Sequence, residues 1–209
     1  LHVPLNNGGA DNTYHMLNDK NRSLINERTI LINSSRGPVI DNKALKERLL
    51  IKKDILTVLD VWEKEPDYDA ELMNLVELAT PHIAGYSFEG KVNGTVMVYK
   101  ALCEFLNVLP TWKPELPVVS NNQIDIDGNE TTEKMLSNIF NKSYKISDDD
   151  KLLREGSLLP VKEKSNHFDS LRKNYRFRRE LNNYTVNLKN KNDRALKVIN
   201  ELRLNYESD

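Results

Sequence analysis

The stretch 29-TILINSSRGPVIDNKALKERLLIKKDILTVLDVWEKEP-66 decides the fold of this 209-residue chain. Its two apolar runs, Thr29 to Asn33 and Ile55 to Asp60, are continuous rather than alternating, the pattern of strands buried on both faces of a parallel sheet. Between them Asp41 stands where a helix N-cap belongs. Ala44, Leu45 and Leu49 follow at helical spacing, and the last turn is rich in Arg and Lys. Strand, helix and strand in that order make a βαβ unit. Working outward, Glu77 to Thr80 (ELAT) is a weaker third strand, and the opening Leu1-His2-Val3-Pro4 reads as the end of a buried one. The expected fold class is α/β with a parallel sheet.

Toward the C-terminus, Val92, Val96, Tyr99, Leu102 and Leu106 recur at spacings of three and four. This predicts one long helix from Ser87 to about Asn107 with a single apolar stripe. Leu109 to Pro117 then holds Pro110, Pro114 and Pro117, three of the chain's eight prolines, which interrupt helix and mark a linker. Beyond lies a smaller α/β unit. Gln123 to Asp127 alternates apolar and polar, Asp127-Gly128-Asn129 turns, and a helix follows around Thr132 to Phe140. Tyr184 to Leu188 alternates likewise, and Asn192 caps a last helix bearing Ala195, Leu196, Ile199 and Leu202. The expected division is 1–85, then 86–109 as a returning helix, then 110–209.

Charge excludes some functions. Lysine and arginine total 30 against 31 aspartate and glutamate, a net charge of -1, so the whole chain attracts neither nucleic acid nor an anionic membrane. No apolar run approaches the ~18 residues that a membrane span needs. The single cysteine, Cys103, sits beside Ala101, Leu102 and Phe105 on an apolar helix face. It can form no intrachain disulfide and points to a reducing, cytoplasmic compartment. The sequence opens on Leu1 with a strand already under way, and is expected to start partway through a fold.

Four segments follow apolar runs, where open parallel sheets gather ligands: Leu1 to Leu5, Ser34-Ser35-Arg36-Gly37, Asp60 to Pro66, and Thr80 to Tyr86. Arg36 stands where its guanidinium can grip a carboxylate through two hydrogen bonds, or simply close a turn. His82 lies in an apolar setting between Pro81 and Ile83, suited to acid–base chemistry and equally to a core histidine bonded to a carbonyl. Glu65 decides between them only by reaching His82, because a carboxylate on the far imidazole nitrogen fixes the tautomer and stabilises the charged ring. Asp60 can accept a hydrogen bond from a cofactor amide, or cap the next turn.

Taken in order, LHVPL, NSSRG, DVWEKEP and TPHIAG resemble the motifs of the D-2-hydroxyacid dehydrogenase family. The resemblance implies the second half of a Rossmann-type parallel sheet domain, with NAD as cofactor. His82 would be the proton donor and acceptor at the substrate C2 oxygen, Glu65 its partner, and Arg36 the group that binds the substrate carboxylate. Val3, Ser34, Ser35, Arg36, Asp60 and Gly85 would line the cofactor. Val3 departs from the family, which commonly has threonine there, and the family's G-x-G-x-x-G turn does not occur in this sequence; Gly8-Gly9 lacks its spacing. Two later stretches, Tyr86-x-x-Glu89-Gly90-Lys91 and Phe168 to Tyr175 with Arg178-Arg179-Glu180, resemble a branch of the family. That likeness implies a small phosphorylated hydroxy-acid substrate contacted by Tyr86, and a homodimer formed through a small C-terminal α/β dimerisation domain, 110–209.

Arg172, Lys173, Arg176, Arg178 and Arg179, interleaved with Tyr175 and Phe177, invite a nucleic-acid reading. The balanced total charge and the want of a groove-binding motif weigh against it. Phe168, Leu171 and Tyr175 fall on one helical face that can pack inward, and some of these arginines are expected to help hold the substrate phosphate. Two alternatives stay open: a family member with another substrate, such as a phosphoglycerate dehydrogenase, and a non-catalytic NAD-sensing scaffold. No metal site is expected.

Overall fold

A computed structural model describes residues 1–21 and 24–207. Contacts divide the chain into two compact units, Leu1–Ala84 with Ser147–Tyr175, and Gly85–Ile146 with Arg176–Asp209.

In the first unit, β1 (Ile30–Asn33), β2 (Leu56–Leu59) and β3 (Leu78–Ala79) form a parallel sheet in that order. The crossover from β1 to β2 is α1 (Asn42–Ile51), capped by Asp41, whose carboxylate accepts from the Ala44 N–H at 3.0 Å. A short helix, α2 (Ala70–Leu75), leads into β3 and is capped by Asp69. Only one face of the sheet carries the core. Leu31 and Leu59 point into it, whereas Ile30, Ile32 and Leu56 on the opposite face are 63%, 48% and 49% exposed. The expectation of strands buried on both faces therefore fails here, because the described elements cover one side. Leu1 to Leu5 forms no strand; its tie to β1 is one hydrogen bond from the Leu1 ammonium to the Ile32 carbonyl.

The sequence reading keeps 110–209 together, but Ser147–Tyr175 packs with the N-terminal residues. The reason is apolar. In α5 (Ile146–Glu155) and α6 (Val161–Lys173), Leu153 and Phe168 are fully buried in one cluster with Leu59, Trp62, Tyr68 and Leu72. A buried side chain of this size contributes about 1.5–3 kcal/mol. Burial pushes the Tyr68 phenol up to about 12, so it remains a neutral donor, and its hydroxyl gives a hydrogen bond to the Leu153 carbonyl at 3.3 Å.

In the second unit, β4 (Gln123–Asp127), β5 (Thr185–Lys189) and β6 (Asn205–Glu207) make another parallel sheet in that order. Helices α4 (Thr132–Ser143) and α7 (Asp193–Glu201) cover one face, burying Met135, Ile139, Ala195 and Ile199 against Ile124, Ile126 and Val186. Asn192 caps α7 as its position predicts; β6 went unforeseen. The long helix α3 (Phe88–Phe105) is capped by Ser87. Glu89 and Cys103 are buried and Val92, Val96 and Tyr99 half-buried, while Leu102 and Leu106, which the sequence placed in the stripe, are exposed. No helix among the described residues is long and apolar enough to cross a membrane.

Candidate active site

The site assembles where the chain leaves β2 and β3. Asp60 follows β2, and its buried carboxylate closes the turn after β3: Oδ1 accepts from the Thr80 hydroxyl at 2.7 Å and the Ile83 N–H at 2.8 Å, and Oδ2 from the Ala84 N–H at 2.8 Å. Of the two roles open to it in the sequence, this geometry displays the cap. Between those donors lies His82, whose φ of +56° is a left-handed conformation uncommon for a non-glycine residue. The His82 N–H donates to the Asp60 carbonyl at 2.7 Å, which ties the residue itself to Asp60.

Glu65 meets His82 from the loop after β2. Its Oε2 lies 2.7 Å from His82 Nδ1, and its Oε1 accepts from the Trp62 N–H, also at 2.7 Å. Both side chains are part-buried, at 25% and 20% exposure, enough to strengthen the pair while leaving it reachable. A carboxylate on Nδ1 places the neutral ring's lone pair on Nε2, which has no protein partner among the described residues. Trp62 itself is anchored by its indole N–H on the Thr80 carbonyl at 3.0 Å.

Arg36 comes from the loop after β1. Asn33 organises that loop, accepting from the Ser35 N–H at 3.2 Å and hydroxyl at 2.8 Å and donating to the Arg36 carbonyl at 3.1 Å. One guanidinium N–H binds the Ser35 carbonyl at 2.7 Å, and the side chain is exposed. Gly37 explains the N-x-x-R-G pattern, since a Cβ there would stand 2.0 Å from the Trp62 carbonyl group. The Arg36 loop thus lies against the loop that carries Glu65. Val3 and Ser34 are half-buried and share no hydrogen bond with these groups among the described residues. Gly85, with φ +78°, and Tyr86, with the Lys91 ammonium 4.3 Å from its ring centre, open the second unit.

Several structuring residues escaped the sequence reading. Trp62 and Thr80 are two; an apolar anchor inside the charged run VWEKEP was the available signal. His15 is another: its ring nitrogens face Glu63 at 2.6 Å and Asp41 at 3.7 Å. These three side chains are close enough to suggest a metal site, but the carboxylates approach opposite ring nitrogens, and Asp41 also caps α1. The Arg179 guanidinium, expected among the phosphate-binding candidates, is buried against Glu89 at 2.5 Å and Asn183 at 2.6 Å. Burial would push the Glu89 carboxyl up, but its bonds with Arg179 and the Glu180 N–H outweigh that and hold it below the usual range. Arg178 lies 4.2 Å from the Tyr144 ring centre, and Arg176 donates to the Lys145 carbonyl at 3.1 Å.

The sequence matches known families in two places. Residues 1–84 fit the family model of the D-isomer specific 2-hydroxyacid dehydrogenase NAD binding domain, and residues 115–202 that of a domain of unknown function. The N-terminal residues of the chain are thus similar to the D-isomer specific 2-hydroxyacid dehydrogenase family. Among its relatives, proteins named erythronate-4-phosphate dehydrogenase are 43% identical in Proteus mirabilis (strain HI4320), over 89% of this chain and 48% of that protein, and 39% identical in Cellvibrio japonicus (strain Ueda107), over 90% and 51%. The counterpart in Pseudomonas putida (strain W619) is 39% identical over 97% of this chain and 54% of that protein. The chain spans about half the length of the curated relatives it matches.

Proposed function

We propose that this chain carries the acid–base half of an NAD-dependent D-2-hydroxyacid dehydrogenase that oxidises 4-phospho-D-erythronate to 3-hydroxy-2-oxo-4-phosphooxybutanoate in the cytoplasm, for synthesis of the vitamin B6 coenzyme. The observation that carries the reading is the 2.7 Å contact between His82 Nδ1 and Glu65, set in residues that match the family model. The substrate follows from the relatives' name, and homodimerisation through the C-terminal residues is part of the same proposal.

The residues at the sheet edge suit such a cofactor. Among the described residues Asp60 Oδ2 accepts only the Ala84 N–H, so a carboxylate lone pair remains for an amide donor, and Ser34, Ser35, Gly85 and Val3 are the further residues proposed to hold the cofactor. NAD supplies the acceptor for the C2 hydride. Everything else falls to side chains. His82 Nε2 takes the proton of the C2 hydroxyl as the C–H bond breaks, and the Glu65 carboxylate stabilises the imidazolium that results. Arg36 grips the substrate carboxylate and, beside it, polarises the forming carbonyl, while Tyr86 contacts the remainder of the substrate.

The test is NADH formation from 4-phospho-D-erythronate by the natural full-length polypeptide and by its His82→Ala variant. The reading expects loss of turnover by at least about 10²-fold; equal rates sink it.

A further inference from the structure

We propose that the segment Ser147–Tyr175 positions the Glu65–His82 pair through Lys164 and Asp150. It is a brace on the reacting groups as well as a part of the C-terminal region. The inference rests on the oxidoreductase reading of that pair.

Lys164, on α6, is only 9% exposed, and lysine is seldom buried so far without partners. Its ammonium donates to the Tyr68 carbonyl at 2.8 Å and pairs with Asp67 at 3.2 Å, gripping the main chain immediately after Glu65-Pro66. The Tyr68 ring packs between Trp62 and Phe168, each with centroids 5.6 Å away. Trp62 in turn holds both partners: its backbone N–H binds Glu65, and its indole binds Thr80, two residues before His82. α6 therefore controls the loop that carries Glu65.

α5 controls the strand that delivers His82. Asp150 accepts from the Ala79 N–H in β3 at 2.8 Å and from Arg154 Nε at 3.0 Å. Arg154 donates onward to the Met73 and Val76 carbonyls, each at 3.0 Å. An apolar cover alone would stabilise as well, since ionic groups carry a desolvation cost. Charge-assisted bonds to main-chain atoms add direction. Direction matters at a dyad, where a shift of about 1 Å costs up to about 10²-fold in rate.

The experiment uses the natural full-length polypeptide. Lys164→Met is expected to lower kcat about tenfold with the Michaelis constant for NAD unchanged, and Lys164→Arg to restore kcat. With ¹⁵N-labelled histidine, His82 in the parent protein should carry its proton on Nδ1, and Lys164→Met should mix in the Nε2-protonated form. A purely structural role would lower Tm and leave the tautomer of the folded molecules alone. Asp150→Ala, at a less buried position, should move both readings the same way. Folded Lys164→Met and Asp150→Ala proteins with parental kcat and parental tautomer overturn the proposal. Should Lys164→Met not fold, Asp150→Ala decides by the same two readings. A His82→Ala protein with the parental rate removes the oxidoreductase reading instead, and is recognised by that result alone.

Discussion

Two strands of this protein run into an aspartate at a sheet's carboxyl edge, with opposite outcomes. In the second unit, Asp127 accepts from the Asn129 N–H and the Asn190 amide, each at 2.9 Å. Asn192 and Arg194 both donate to the neighbouring Gly128 carbonyl, at 2.7 and 2.9 Å. At that edge the polar side chains bond mainly to one another and to main-chain carbonyls, which makes it the sealed one of the two, although Asp127 takes both of its bonds on one oxygen, Oδ1. In the first unit Asp60 accepts from three donors, and what it holds is a turn that presents His82, with Nδ1 committed to Glu65 and Nε2 left for another molecule. Parallel sheets offer ligands their carboxyl edge. What differs is the kind of atom left over: a carboxylate oxygen at Asp127, and at His82 an imidazole nitrogen whose ring is held by a carboxylate.

The largest effect expected from breaking this contrast is on the aspartates themselves. Asp60→Ala removes the acceptor of three donors and the support of a strained histidine; we expect turnover to fall at least about 10²-fold and stability to fall by about 2 kcal/mol. Asp127→Ala should lower Tm without touching turnover. Steady-state rates and thermal unfolding of both variants test this, and similar turnover losses in the two would erase the distinction. Next comes Glu65→Gln, which keeps the shape and the Trp62 contact but cannot stabilise a charged imidazole, so turnover should drop about 10- to 100-fold at nearly unchanged Tm. Smaller still are the glycines. Ala at Gly37 would meet the Trp62 carbonyl group, and Ala at Gly128 the Asn190 carbonyl at 2.2 Å. Each substitution should cost about 1–3 kcal/mol by calorimetry, and only Gly37→Ala should also slow turnover.

The contrast also marks what could be read in advance. β1, β2 and their crossover were legible because continuous apolar runs and the Asp41 cap are local signals, and β4, β5 and the Asn192 cap for the same reason. Arg36, Glu65 and His82 stood out by position after strands. The contact of Glu65 with His82 was implied by the family resemblance but could not be read from the residues themselves, because Glu65 reaches His82 only through a loop whose path depends on Trp62 and on what packs behind it. The packing of Ser147–Tyr175 against the first unit was hidden for a related reason: Leu153 and Phe168 lie in amphipathic helices that would suit either unit, and nothing local selects the partner. The α3 stripe misled because a helix with apolar residues on several faces leaves more than one possible inward side.

The smallest effect is a pH dependence confined to the sealed edge. The Asn129 N–H first, and then the Asn190 amide, hold the Asp127 carboxyl below its ordinary range. A carboxyl lowered in the folded state binds its proton more readily when unfolded. Its contribution is therefore fully present above the unfolded value, near about 4, and is lost as pH falls through the lower folded value. Asp127→Asn abolishes that titration while keeping a side-chain oxygen for both donors. Melting curves of parent and variant should thus run parallel from about pH 8 to pH 5 and converge below about pH 4, where the parent alone loses this contribution. Curves that stay parallel into the acid range would mean that the bonds at Asp127 serve its protonated form equally well. The sealed edge would then owe its stability to shape and not to charge.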